Sequence, residues 1–352
     1  MTHHEHEVEA AIIGGVDTHR DTHTAAVIDG LGRVLGTAEF GADTGGYLAL
    51  VDWMREFGRL TRVGVEGTGA YGAGLARVLA DHGIDTVEVD RPNRRIRRLQ
   101  GKSDPIDAIA AARTAAAGER AITPKQRDGR VEALRTLRIA RRSAITQRAD
   151  TQRRIKAVVV TAPEDLRARL RHLTDTTLIT TCAGLRPDRA TAATPATATK
   201  IALRTLARRH QQLTIEINEL DELLKPLVTV INPTLLAAHG LGIDTAGQLL
   251  VTVGDNPHRL RSEAAFAMLC GVAPIPASSG RTIRHRLNRG GDRHANAAVH
   301  RIVITRLRWH PPTRAYLQRR TQQGLSKKEI IRCLKRYVAR EVYHLITTNP
   351  TT

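Results

Sequence analysis

Four carboxylates in the first third of the chain carry the spacing of metal-assisted phosphate chemistry. Asp17 closes an apolar run from Ala10 to Val16, and Glu66 closes a second from Arg62 to Val65. Asp104 and Asp107 stand three apart where a helical pattern begins. Carboxylates at strand ends converge on one edge of a sheet, and residues three apart share a helix face. Four such donors suit two Mg²⁺ ions about 4 Å apart, which polarise a phosphate and stabilise the attacking and leaving oxygens. Each position also has a plain reading. Asp17 fits a turn at a strand end, and Asp104-Pro105-Ile106-Asp107 fits a helix start with an N-cap Asp, Pro at N1 and an acid at N3. The stretch from Arg91 to Lys102 holds six basic residues in twelve, among them Arg94, Arg95, Arg97, Arg98 and Lys102, and no acid. A carboxylate cluster beside such a stripe fits a phosphodiester substrate.

A second constellation lies near the other end. Pro274-Ile275-Pro276-Ala277-Ser278-Ser279-Gly280-Arg281 is followed by Arg284, Arg286, Arg289, Gly290-Gly291 and Arg293. Ser-Ser-Gly reads plainly as a turn. A serine among arginines could also attack phosphorus, because the cations would hold the phosphate and ease formation of an alkoxide. Neither a Ser/His/Asp order nor a nucleotide-binding P-loop is found.

The elements that must position these groups follow from hydrophobic periodicity. Residues 9–90 read as β-β-β-α-β-α-β, with Asp29-Gly30 as a hairpin turn and Gly83 closing the second helix. A further helix starts near Pro105. Three meandering strands followed by αβαβ is the ribonuclease-H-type order, whereas a doubly wound fold alternates strand and helix from the start. Residues 125–230 read as helical. Arg135 to Lys156 holds eight basic residues and one acid, Asp150. In a long helix over 197–229, Leu206, Leu213, Leu220 and Leu227 repeat every seven residues, as do Leu203, His210, Ile217 and Leu224. This is the seam of a coiled coil between chains, or of an antiparallel hairpin within one. Residues 235–348 form a third, mostly helical unit. His239 to Ala246 resembles a helix-hairpin-helix turn, and Ser326 to Ile346 reads as an amphipathic helix. The expected domains are therefore 9–122, 125–230 and 235–348.

Composition points the same way. The 352 residues carry a net charge of +19, and 46 of the 54 Lys and Arg are Arg. Arg donates two parallel hydrogen bonds to phosphate, and a surplus this large fits nucleic acid. Aromatics at 3% exclude a protein that works mainly by stacking bases. Cys182, Cys270 and Cys333 are too far apart for a zinc or disulfide framework. With no signal-like N-terminus and no apolar run of 18 residues, the expectation is a cytoplasmic, DNA-associated protein that does not enter the membrane.

Together these blocks resemble a known family. Val16-Asp17-Thr18-His19 with His23, Val65-Glu66-Gly67-Thr68-Gly69-Ala70-Tyr71, and Lys102-Ser103-Asp104-Pro105-Ile106-Asp107-Ala108 resemble the N-terminal domain of DEDD insertion-sequence transposases. Gly271 to Pro274 through Ser279-Gly280, Arg289-Gly290-Gly291, and Gly324 to Lys327 resemble that family's C-terminal domain. The resemblance spans residues 11–348. It implies a RuvC-like (RNase H) domain with Asp17, Glu66, Asp104 and Asp107 as Mg²⁺ ligands. It also implies Ser279 as a nucleophile that becomes linked to DNA, guidance by a structured bridge RNA, and active sites assembled in a homo-dimer or tetramer. The expected function is DNA cutting and rejoining by serine transesterification. The alternatives are a hydrolytic junction-type endonuclease and an inactive nucleic-acid-binding relic.

Overall fold

The computed structural model describes residues 10–89, 103–118, 122–281 and 285–348. The chain divides into two compact units: Met1–Asp128 with Val253–Arg261, and Gly129–Thr252 with Ser262–Thr352. The basic residues Arg94, Arg95, Arg97, Arg98, Lys102 and Arg284 lie outside the described residues.

The first unit is a five-stranded mixed sheet with helices on both faces. Strands β1 (Ala11–Thr18), β2 (Thr22–Asp29), β3 (Val34–Gly41), β4 (Arg59–Glu66) and β5 (Asp85–Val89) stand in the order β3-β2-β1-β4-β5. β1 and β2 pair antiparallel, as do β2 and β3, while β1, β4 and β5 run parallel. Helices α1 (Thr44–Arg55) and α2 (Ala73–Asp81) cover one face, where Ile12, Val16, Val63 and Val65 pack against Leu50, Met54, Leu75 and Leu79. Helix α3 (Asp104–Ala117) covers the other, with Ala111 and Ala115 against Val87 and Val89. Burial on both faces explains why β1 is a continuous apolar run rather than an alternating one.

Three details depart from the sequence reading. The turn after β2 is longer than Asp29-Gly30: Asp29 accepts hydrogen bonds from the Leu31 and Arg33 amides, and Gly32, not Gly30, takes positive φ (79°). Helix α1 begins three residues before Tyr47, because the Asp43 side chain accepts the Gly46 amide and caps it. The capping position of α3 is Ser103, so Asp104 is the first helical residue and its carboxylate is not needed as the cap.

The second unit is mostly helical. It contains α4 (Arg130–Val160), α5 (Glu164–Leu170), α6 (Asp175–Ala183), α7 (Pro195–Ile231), α8 (Pro233–Ala237), α9 (Ile243–Val253), α10 (Glu263–Leu269), α11 (Arg293–Trp309), α12 (Pro311–Gln322) and α13 (Lys327–Thr348). Short strands β6 (Ile275–Pro276) and β7 (His285–Arg286) form a ribbon between α10 and α11. α4 and α7 lie antiparallel: Arg141 bonds Asp221, while farther along α4 Arg148 bonds Thr214 and Gln147 bonds Arg209. The heptad seam of α7 is thus answered within the chain. Leu203, Leu213, Ile217 and Leu224 are buried, and burial together with the nearby Arg148 holds His210 below the usual histidine range. A mixed α/β sheet followed by a mostly helical region fits the coarse outline of the expected fold class. No helix among the described residues is long and apolar enough to cross a membrane.

Candidate active site: an acidic cluster and a serine ribbon

The acidic site is built on two glycines. A Cβ on Gly15 would stand 2.2 Å from the Ala108 carbonyl oxygen and 2.2 Å from the Ala112 nitrogen; one on Gly64 would stand 2.5 Å from the Ala111 oxygen. Only hydrogen at these positions lets α3 lie directly on β1 and β4. Side chains two residues apart on a strand share a face. Asp17 and Glu66, two residues beyond Gly15 and Gly64, therefore point to the side that carries α3. Val16 and Val65 are register partners, so the two acids leave their strands at one level, and Thr18 Oγ1 donates to the Glu66 carbonyl at 2.7 Å. The first turn of α3 brings Asp104 and Asp107 to the same side.

Asp17 and Asp107 are buried, at 6% and 4% exposure. Burial pushes the Asp17 carboxyl above its ordinary range; the charges of Asp107 and Asp104 add to the rise, and His19 opposes it. His19 Nε2 stands 3.3 Å from an oxygen of Asp17 and 3.3 Å from one of Asp104, and it has no well-aligned hydrogen-bond partner. The ligand atoms of Asp17, His19 and Asp104 all fall within 4.8 Å of one another. Crowded carboxylates, one of them raised by burial and by its acidic neighbours, together with an imidazole nitrogen set between two of them, form a donor set that a divalent cation fits. The four acids singled out in the sequence thus share one face. Asp107 is near enough to raise Asp17, and Glu66 leaves its strand at the level of Asp17.

His19 was not among the expected site residues, although it stands in the Asp17 motif. The supporting glycines were missed as well. Their signal was present as a repeat: Gly15-Val16-Asp17 and Gly64-Val65-Glu66 share one pattern. His23, from the same motif, serves the core instead. It is fully buried, stacks on Tyr47 and is held below the usual range by burial.

The serine constellation lies in the second unit. Ile275 pairs with Arg286 and Pro276 with His285, and the connecting loop carries Ser278 and Ser279, both exposed, before Gly280 at φ 56°. Arg281, Arg286, Arg289 and Arg293 are exposed, and none forms an ion pair with a described acid. The base of the ribbon is clasped. Asn296 Nδ2 donates to the carbonyls of Cys270 (3.1 Å) and Gly271 (2.8 Å), and Lys335 Nζ donates to Asn296 Oδ1 at 2.5 Å. Burial holds Lys335 below the usual lysine range. Gly291 presses so closely on the incoming strand that a Cβ there would meet the Gly271 nitrogen and the Leu269 oxygen, each at 2.6 Å. Asp292 then caps α11 through the His294 and Ala295 amides and accepts the Thr252 hydroxyl at 2.8 Å. Gly290-Gly291 thus has a packing reason, and Asn296 and Lys335 are residues that sequence reasoning did not find. Cys270, beside this clasp, is pushed up to about 12 by burial and by Asp292, which makes it an inert thiol.

Comparison with known proteins divides along the same two regions. Residues 14–162 match a family model described as a DEDD-type IS110 transposase. Residues 232–318 match one described as the transposase IS116/IS110/IS902 family. A stretch of 136 residues is 32% identical to the insertion element IS110 uncharacterized 43.6 kDa protein of Streptomyces coelicolor (strain ATCC BAA-471 / A3(2) / M145). That match covers 38% of this chain and 32% of the relative, so about a third of the relative's length is spanned.

Proposed function

The chain belongs to the IS110 transposase family, and from that premise we propose that it cuts and rejoins DNA by serine transesterification at a divalent-metal site. The observation that carries this reading is the convergence of Asp17, Glu66, Asp104 and Asp107 on one face of the sheet and the helix lying against it. The strand order β3-β2-β1-β4-β5, with β2 antiparallel to its neighbours, supports a RuvC-like (RNase H) assignment for this unit. Asp17, Glu66, Asp104 and Asp107 would hold Mg²⁺, with His19 facing Asp17 and Asp104. Bound there, the cation would draw charge from phosphate oxygens and stabilise the attacking and leaving groups.

The chain's own part is nucleophile and cradle. Ser279 gives up its proton and its Oγ bonds to phosphorus. The bond from phosphorus to the departing sugar oxygen breaks, and that oxygen takes up a proton as a free hydroxyl. In the second step a strand hydroxyl attacks the phosphoserine, the P–Oγ bond breaks and the serine regains its proton. The bond energy is retained throughout. Arg281, Arg286, Arg289 and Arg293, exposed and unpaired with described acids, would hold phosphate oxygens for the serine, and Arg284 completes the series in sequence. The basic stretch with Arg94, Arg95, Arg97, Arg98 and Lys102, which precedes Asp104 in sequence, would contact the DNA backbone. Guidance by a bridge RNA, assembly as a homo-dimer or tetramer and a cytoplasmic, DNA-associated location rest on the family likeness.

The test is denaturing electrophoresis of end-labelled element-end DNA incubated with Mg²⁺ and with the RNA that co-purifies with the protein. Wild-type protein and Ser278→Ala should give a protein-linked band that Ser279→Ala lacks. Ser279→Ala should leave stability within about 0.5 kcal/mol, as exposed substitutions do. Asp17→Ala, Glu66→Ala, Asp104→Ala, Asp107→Ala and chelation should each abolish the band. Cutting by Ser279→Ala with no adduct in any sample would instead establish the hydrolytic endonuclease. A protein that binds DNA and never cuts it would be the relic.

A further inference from the structure

Three helices of the second unit line a cavity of about 420 Å³. Helix α4 contributes Arg138, Arg141 and Arg142; α11 contributes Arg301; α9 contributes one carboxylate, Asp244. The small side chains of Ala297 and Ala298 leave its wall open. Asp244 is shared three ways, with Arg301 at 2.6 Å, Arg138 at 3.1 Å and Arg141 at 3.3 Å. Arg141 has a second acid in Asp221, which lies outside the cavity lining. Arg142 is exposed and pairs with no described acid.

Four guanidinium groups thus face one lining carboxylate, and two of them are drawn well out of water: the side chains of Arg138 and Arg141 are 13% and 18% exposed. Cations held this way are costly unless anionic oxygens satisfy their remaining N–H groups. Burial depresses Arg138 from its ordinary range; Asp244 opposes the fall, and the like charges of Arg141 and Arg142 add to it. Asp244 meanwhile orders the forks of Arg138, Arg141 and Arg301 around one spot, as a preformed anion site requires.

We propose that this cleft seats a backbone phosphate of a nucleic-acid strand, with Arg142 its free contact and Asp244 a resident competitor that keeps the other arginines aligned. The proposal rests on the reading that the chain handles nucleic acid. Its chemistry is a phosphodiester oxyanion, which a DNA strand or an RNA strand could supply.

Fluorescence anisotropy over a range of salt, with full-length protein, a short duplex DNA and a short RNA hairpin, separates the possibilities. Arg142→Gln should lower the salt slope by about 0.9 on duplex DNA if it loses one phosphate contact, roughly a tenfold weakening at moderate salt. Arg208→Gln, which removes one exposed charge from α7 outside the cleft, should keep the wild-type slope. Asp244→Asn should tighten binding by releasing three arginines to the phosphate. Loss on the duplex alone assigns the cleft to DNA, loss on the hairpin alone to RNA, and loss on both to a backbone contact common to the two. If wild type binds and Arg142→Gln matches Arg208→Gln on both probes, the cleft proposal is wrong while the nucleic-acid reading survives. If wild type binds neither probe, that reading falls and the cleft with it.

Discussion

The acidic cluster and the serine ribbon are held in opposite ways. Asp17 and Glu66 end strands buried in the middle of a sheet, and Asp104 and Asp107 ride on a helix pressed against those strands at backbone distance. Backbone packing fixes their positions from two sides. Ser279 projects from an exposed loop whose order is imposed at its base, through Asn296, Lys335 and the crossing of Gly271 with Gly291. A set of charges that must stay together against mutual repulsion needs a rigid frame. A nucleophile that must meet a long polymer needs an open approach. If this contrast is right, one extra methyl under the acids should do more damage than deleting a hydrogen-bonding side chain under the serine.

The largest effect is expected at Gly15. Gly15→Ala sets a methyl against the Ala108 carbonyl and the Ala112 amide, backbone atoms that cannot rotate away. Helix α3 must lift, so stability should fall by at least the 1–3 kcal/mol typical of overpacking, and metal-dependent cleavage should be lost as Asp104 and Asp107 move. Gly30→Ala is the control: nothing lies within 4 Å of its Cβ position, and the change should stay within about 0.5 kcal/mol. Urea unfolding and the cleavage assay decide; a Gly15→Ala protein with wild-type midpoint and activity would break the comparison.

A smaller effect is expected at the clasp. Asn296→Ala frees the Cys270 and Gly271 carbonyls and leaves Lys335 without its described acceptor. Losing these bonds should cost about 1–3 kcal/mol of local order and slow adduct formation about tenfold, with DNA affinity unchanged because the exposed arginines remain. Single-turnover adduct kinetics beside anisotropy separate the two quantities. If affinity and rate fell together, Asn296 would be a general structural residue rather than one that positions the ribbon.

What could be read from the sequence follows the same divide. The strand and helix order of the first unit was legible because both faces of β1 and β2 are covered, which leaves unbroken apolar runs that end at the acids. Asp17 and Glu66 stood out for the same reason, and Asp104 and Asp107 by their spacing at a helix start. His19 did not, because a histidine two residues after a strand-end acid has no periodicity to mark it, and His23 nearby is a core residue. Asn296 was illegible on principle, because its partners are backbone carbonyls 25 and 26 residues away in sequence and a carbonyl carries no residue type; Lys335 joins the clasp only through the Asn296 side chain, 39 residues away. The heptad of α7 was visible, but its partner was not, since the same a and d pattern suits α4 of its own chain and a helix of another.

The smallest effect has the opposite sign to the rest and tests what holds the acids together. Burial and the charges of Asp107 and Asp104 raise the Asp17 carboxyl in the folded protein. A group whose folded pKa exceeds its unfolded value gives stability that is fully present below the unfolded pKa and is lost as pH rises through the folded one. At neutral pH, without a metal, ionised Asp17 therefore weakens the fold. Asp17→Asn keeps the shape and removes the charge, so in chelator it should melt higher than wild type, by on the order of 1 kcal/mol, and this advantage should shrink as pH falls and Asp17 takes up its proton. A divalent cation should reverse the order. Binding only to the native state, it adds about 2.7 kcal/mol at a hundredfold excess over its dissociation constant, and the variant, short of one ligand charge, should gain much less. Differential scanning calorimetry with chelator and with Mg²⁺ at two pH values gives all four comparisons. If Asp17→Asn melts below wild type in chelator, the cluster is held by internal bonding rather than strained by repulsion, and the contrast between a frame that confines charge and a loop that presents a nucleophile fails at its first term.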